Sequence, residues 1–147
     1  MAFEQKAVRT VIEVLHDGER GFQSFSEEIK NPTTKTFFAE EARTRAKFAA
    51  ELESALSSET GKPIEEGGTA SGAMHRTWGE IKSKLGGSDH AILETAEQGE
   101  DAAKKAYEEA LKLSGVPTSI SSVLRKQQPH IQQSHDKVKA LRDAAAA

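Results

Sequence analysis

Apolar residues recur every three or four positions through almost the whole chain, and strict alternation never persists. That period lays one stripe along a helix, whereas a half-buried strand needs alternation. The spacing predicts a first helix from about Phe3 to Lys30, with Val8, Val11, Ile12, Leu15, Phe22, Phe25 and Ile29 on its stripe. Asn31-Pro32 stops it, because Asn can cap the next helix and Pro fits its first position. A second helix then runs from about Pro32 to Ser58, with Phe38, Phe48, Leu52 and Leu56 inward. A polar loop, about Glu59 to Gly68, leads to a short helix from about Ala70 to Leu85 that carries His75, Trp78 and Ile81, and Gly86-Gly87 ends it. Ser88 or Asp89 caps a third long helix reaching about Leu113, with Ile92, Leu93, Ala96, Ala103, Tyr107 and Leu111 inward. Gly115 and Pro117 mark a tight turn, and a fourth long helix extends to about Ala144 on Ile120, Leu124, Ile131, Val138 and Leu141.

Short junctions make antiparallel neighbours, so the four long helices form two hairpins. A connection of roughly 30 residues between them is long enough to cross the bundle from end to end, as in ferritin-like folds. The expectation is an all-α, ferritin-like antiparallel four-helix bundle, a single domain over residues 1–147, with a crossover carrying a short extra helix. Charge agrees with the second hairpin. Residues 88–113 hold 7 acids and 3 bases, and residues 117–144 hold 2 acids and 5 bases, giving −4 against +3.

The chemistry lies where the stripes are interrupted. The first stripe passes from Leu15 to Phe22 through Gly18 and Glu19; the second, from Phe38 to Phe48 through Glu41 and Arg45; the third, from Ala96 to Ala103 through Gly99 and Glu100, beside Glu97; the fourth, from Ile131 to Val138 through Ser134 and His135, with His130 a turn earlier. At about 1.5 Å rise per residue, these groups fall within one or two turns of a common level. Buried carboxylates are costly unless paired or bound to a cation. Glu19, Glu41, Glu97, Glu100 and His135 are therefore candidate ligands for a metal ion, and carboxylates with one imidazole suit iron, manganese or zinc. Two other readings stand beside this one. Arg45, with Arg43, could pair with Glu19 and Glu100 in a buried ion network, or some of these acids could face water. The protein is then a non-enzymatic bundle, acting as a stress-related interaction or structural protein.

The segments DGERGF (17–22), AAEL (49–52), SGAMHRTW (71–78), EQGEDAAKKAY (97–107) and HDKVKAL (135–141) resemble an uncharacterised bacterial family of four-helix-bundle proteins in the ferritin-like superfamily. The resemblance implies a ferritin-like bundle and little chemistry. Bacterioferritin and rubrerythrin, in the wider superfamily, bind two metals through Glu and Glu-x-x-His. This chain departs from that pattern: Glu41 is followed three residues later by Thr44, and Glu97 by Glu100. A single metal or a vestigial site fits better than a di-iron centre, and any activity is at most a metal-dependent oxidation or peroxide consumption.

Composition narrows the rest. The 147 residues contain no cysteine, which removes disulfides, thiolate metal sites and cysteine nucleophiles. A net charge of −3 disfavours a nucleic-acid partner. The N-terminus lacks the apolar core of a signal peptide, and no apolar run approaches the roughly 18 residues that span a bilayer, so a cytoplasmic protein is expected, without membrane contact or organic cofactor. The crossover could support a homodimer, though nothing in the pattern demands one. Gly67 to Gly72 precede a helix, but no strand comes before them and no Gly-Lys-Ser/Thr follows, so a phosphate loop is disfavoured. Pro129 should kink the fourth helix. His135 and Asp136 cannot share a hydrolase triad from one helix, since neighbours point about 100° apart. His16 and His90 read as surface residues. Gly18, Gly21 and Gly99 each cost about 1 kcal/mol against alanine within a helix, which close packing or room for a ligand would explain.

Overall fold

The computed structural model describes residues 3–62 and 88–145, and among them every regular element is helical. The elements are α1 (Lys6–Glu28), α2 (Pro32–Thr60), α3 (Asp89–Lys112) and α4 (Thr118–Ala144). The boundaries lie close to those the stripes predict, and local chemistry sets them. The Asn31 side chain accepts from the Thr33 and Thr34 N–H groups at 2.9 and 3.0 Å, with Pro32 at the first helical position. Ser88 Oγ accepts from the Ala91 N–H at 3.2 Å. Gly61 closes α2 at φ +71° and Gly115 turns the chain between α3 and α4 at φ +83°, left-handed conformations that favour glycine. α4 continues through Pro129 as helix. The short helix expected at Ala70 to Leu85, with His75 and Trp78, lies outside the described residues.

α1 packs on α2 and α3, and α4 packs on the same two, so α1 faces α4 across one diagonal and α2 faces α3 across the other. At one end, Asp89 accepts from the backbone N–H groups of Lys30 and Asn31 at 2.8 and 3.0 Å, which ties the start of α3 to the α1–α2 turn. At the other end, Ser119 Oγ donates to Glu59 at 2.5 Å, joining the start of α4 to the last turn of α2. The end of α2 and the start of α3 therefore stand at opposite ends of the bundle.

The stripes become the core. All seven of the α1 positions named above are buried, and on the other helices only Phe48, Leu111 and Leu141 remain partly exposed. Burying each large apolar side chain stabilises the fold by roughly 1.5–3 kcal/mol. The core falls into two clusters. One gathers Val8 to Leu15 with Leu52, Leu56, Tyr107, Ile120, Leu124 and Ile131. The other gathers Phe22, Phe25 and Ile29 with Phe38, Ile92, Leu93 and Val138. Between them on all four helices lies the level where the stripes are interrupted. No helix among the described residues is long and apolar enough to cross a membrane.

Candidate functional site

Arg45 fills the centre of the interrupted level. Its side chain is 1% exposed and reaches all four described helices. Nε donates to Glu41 at 2.9 Å one turn back on α2. One terminal nitrogen donates to Glu100 of α3 at 2.5 Å and to Ser134 of α4 at 3.2 Å. The guanidinium carbon stands 5.0 Å from the Phe22 ring centroid of α1. Gly18 makes this possible, since a Cβ there would meet the guanidinium at 3.3 Å. Ser134 Oγ in turn donates to the other carboxylate oxygen of Glu100. His130 closes the network from the solvent side, with Nε2 2.9 Å from both oxygens of Glu41.

The electrostatics follow from two acids sharing one fixed cation. Burial pushes the Glu41 carboxyl up, but the hydrogen bond from His130 and the charge of Arg45 outweigh it and hold it below its ordinary value. Burial also pushes Glu100 up, and there Arg45 and Ser134 offset it only in part, so it ends raised. Burial disfavours the Arg45 charge, yet the two carboxylates more than restore it. The orbit of this network is closed: each acid is committed to a resident donor.

The remaining candidates lie elsewhere. Glu19 is 41% exposed and meets His16 Nδ1 at 3.5 Å, while His16 Nε2 meets Glu53 at 3.3 Å. The acid that α1 buries is Asp17, two residues earlier. Among the described residues neither of its carboxylate oxygens has a hydrogen-bond partner, and Arg20 approaches only to 3.9 Å. Burial pushes its carboxyl up to about 7.

Glu97 and His135 come together on the flank where α3 meets α4, and Asp101 joins them. Glu97 and Asp101 are four apart on α3, so they share a face. One ligand atom from each of Glu97, Asp101 and His135 falls within 4.8 Å of the others. His135 Nε2 lies 2.7 Å from Asp101 Oδ1, and Nδ1 lies 3.0 Å from Asp136 Oδ1. Gln132 donates to the same Asp136 oxygen at 2.9 Å. Glu97 is 13% exposed and Asp101 61%, so the group opens outward. Beside it is a depression of about 300 Å³, lined in part by Glu94, Glu97, Asp101 and Arg142. His16 lacks this geometry: its two acids sit on opposite ring nitrogens and do not converge.

The five predicted ligands thus divide three ways. Glu41 and Glu100 belong to Arg45, Glu97 and His135 belong to the flank, and Glu19 stands apart. Asp101 is the addition that the stripe could not supply, because it points away from the core beside the buried Glu100. The one signal for it was its four-residue spacing from Glu97.

No curated protein matches the chain. The sequence pattern of a domain of unknown function, DUF2383, matches residues 4–113, a span that takes in α1, α2 and α3 with Glu41, Arg45, Glu97, Glu100 and Asp101, and stops before α4. By that match over most of its length, the chain belongs to the family of the domain of unknown function DUF2383.

Proposed function

We propose that this bundle binds a divalent transition-metal ion on its α3–α4 flank through Glu97, Asp101 and His135. What carries the reading is the convergence of one ligand atom each from Glu97, Asp101 and His135 within 4.8 Å of one another. A neutral imidazole has one N–H, yet both ring nitrogens face a carboxylate oxygen. With a metal on Nε2, the one N–H sits at Nδ1 and donates to Asp136, the carboxylate–histidine–metal order that orients imidazole ligands. The donor set, one nitrogen and two carboxylates, suits zinc, ferrous iron or manganese, with zinc held tightest of the three. Three protein ligands leave coordination positions open toward solvent. A bound ion would supply Lewis acidity, or one-electron chemistry if it were iron.

The bundle is ferritin-like in this reading. What supports it is that the end of α2 and the start of α3 stand at opposite ends of the bundle. The metal lies off the axis rather than in the centre, because Arg45 already neutralises Glu41 and Glu100. That same network favours a second reading, a non-enzymatic structural bundle with a salt-bridged core.

Equilibrium dialysis of tag-free protein against zinc, manganese, or ferrous iron under argon, followed by elemental analysis, separates the two. Binding on the flank gives one equivalent per chain, lost in His135→Ala. Protein that retains no ion contradicts the metal reading and leaves the structural one.

A further inference from the structure

Glu97 already has a cation. Arg142, in the last turn of α4, donates from a terminal nitrogen to Glu97 Oε2. Its Nε and its other terminal nitrogen donate to Asp143 Oδ1 at 3.1 and 2.8 Å. Arg142 follows His135 by seven residues, two helical turns, so both reach toward α3 from the same face. His135 takes the Asp101 end of the group and Arg142 takes the Glu97 end.

Arg45 and Arg142 differ in their freedom to leave. Arg45 is enclosed, and its departure would strand buried acids. Arg142 is 28% exposed, and Asp143 beside it is 60% exposed. A guanidinium released from Glu97 keeps Asp143 as a partner and regains water. Glu97, by contrast, is only 13% exposed, so losing Arg142 without a replacement cation is unfavourable.

We propose that Arg142 is a built-in competitor for the flank site: it neutralises Glu97 in the metal-free protein and is displaced from it when a divalent ion binds. This rests on the flank-site reading above. Exchanging one cation for another raises the apparent dissociation constant in proportion to how rarely Arg142 leaves Glu97, so the site fills only at higher ion concentration. Part of the intrinsic affinity offsets the loss of the Arg142–Glu97 pair.

Zinc titration against a chromophoric chelator tests this on the full chain, with Arg142→Gln and Arg142→Lys beside the parent. Removing the competing charge should tighten zinc binding about tenfold in Arg142→Gln, with Arg142→Lys between. Saturating zinc should also shift the Arg142 side-chain Nε–H resonance of the parent. Parent protein that binds zinc while Arg142→Gln binds equally or more weakly overturns the competition and leaves the flank site standing. Failure of both proteins to bind zinc overturns the flank site and the competition together.

Discussion

Glu97 and Glu100 stand less than one turn apart on α3 and meet opposite arrangements of counter-charge. Glu100 points to the axis, fully buried, against an arginine that contacts all four helices. Glu97 points to the flank, against an arginine in the last turn of α4, a histidine and an outward-facing aspartate. Both regions are rich in carboxylate and imidazole, so composition does not separate them. The difference is whether the counter-ion can leave. A cation built into the core makes the carboxylates structural. A cation at the rim can exchange for another, which is the basis of the metal site proposed there.

The largest effect should come from emptying the axis. Arg45→Ala leaves Glu41 and Glu100 buried without their donor and should lower stability by about 3–5 kcal/mol in chemical denaturation. Replacing the three together, Arg45→Met with Glu41→Leu and Glu100→Leu, removes the charges as a set and should leave stability within about 1 kcal/mol of the parent or above it. A triple variant as unstable as Arg45→Ala would mean that the network is doing something other than neutralising itself. On the flank, His135→Ala should weaken zinc binding about a hundredfold, the largest loss expected there.

Asp17 gives a pH-dependent contrast within α1. Its folded carboxyl titrates at about 7 against an ordinary 3.8. Between those values the folded protein holds a proton that the unfolded chain has lost, so stability falls as pH rises from about 4 to about 7. Asp17→Asn should therefore gain about 2 kcal/mol over the parent at pH 8, roughly half the full shift after solvent relaxation, and nothing near pH 4. Equal urea midpoints for the two proteins at both pH values would remove Asp17 from the account. The smallest effect expected is at Asp136: Asp136→Asn should weaken zinc binding about tenfold, through the imidazole it orients.

Much of this was legible in the chain. The helix ends are written in Asn31-Pro32, Ser88 and Gly115, because capping is local chemistry. The polar level is written as interruptions in four stripes, and the pairing of Arg45 with Glu100 was among the readings those interruptions allowed. The direction of side chains near a stripe's edge was harder to see. Asp17, which is buried, and Glu19, which faces His16 and water, point about 200° apart, so reading the stripe one residue late exchanges one acid for the other. Asp101 and Arg142 sit on no stripe at all. Their meeting with Glu97 and His135 depends on how α4 is rotated against α3, a tertiary fact that spacing along one helix does not encode. His130 lay near the interruption on α4, yet its role emerges only once Glu41 is seen across the α2–α4 contact.

In the proposed function the flank, and not the axis, takes the ion. Calorimetric zinc titration of Glu97→Gln and Glu100→Gln, each first shown by circular dichroism to keep its helices, tests it on adjacent turns of one helix. Glu100→Gln should bind one equivalent of zinc as the parent does, and Glu97→Gln should lose it. Zinc retained by Glu97→Gln and lost by Glu100→Gln would contradict this and return the site to the centre of the bundle.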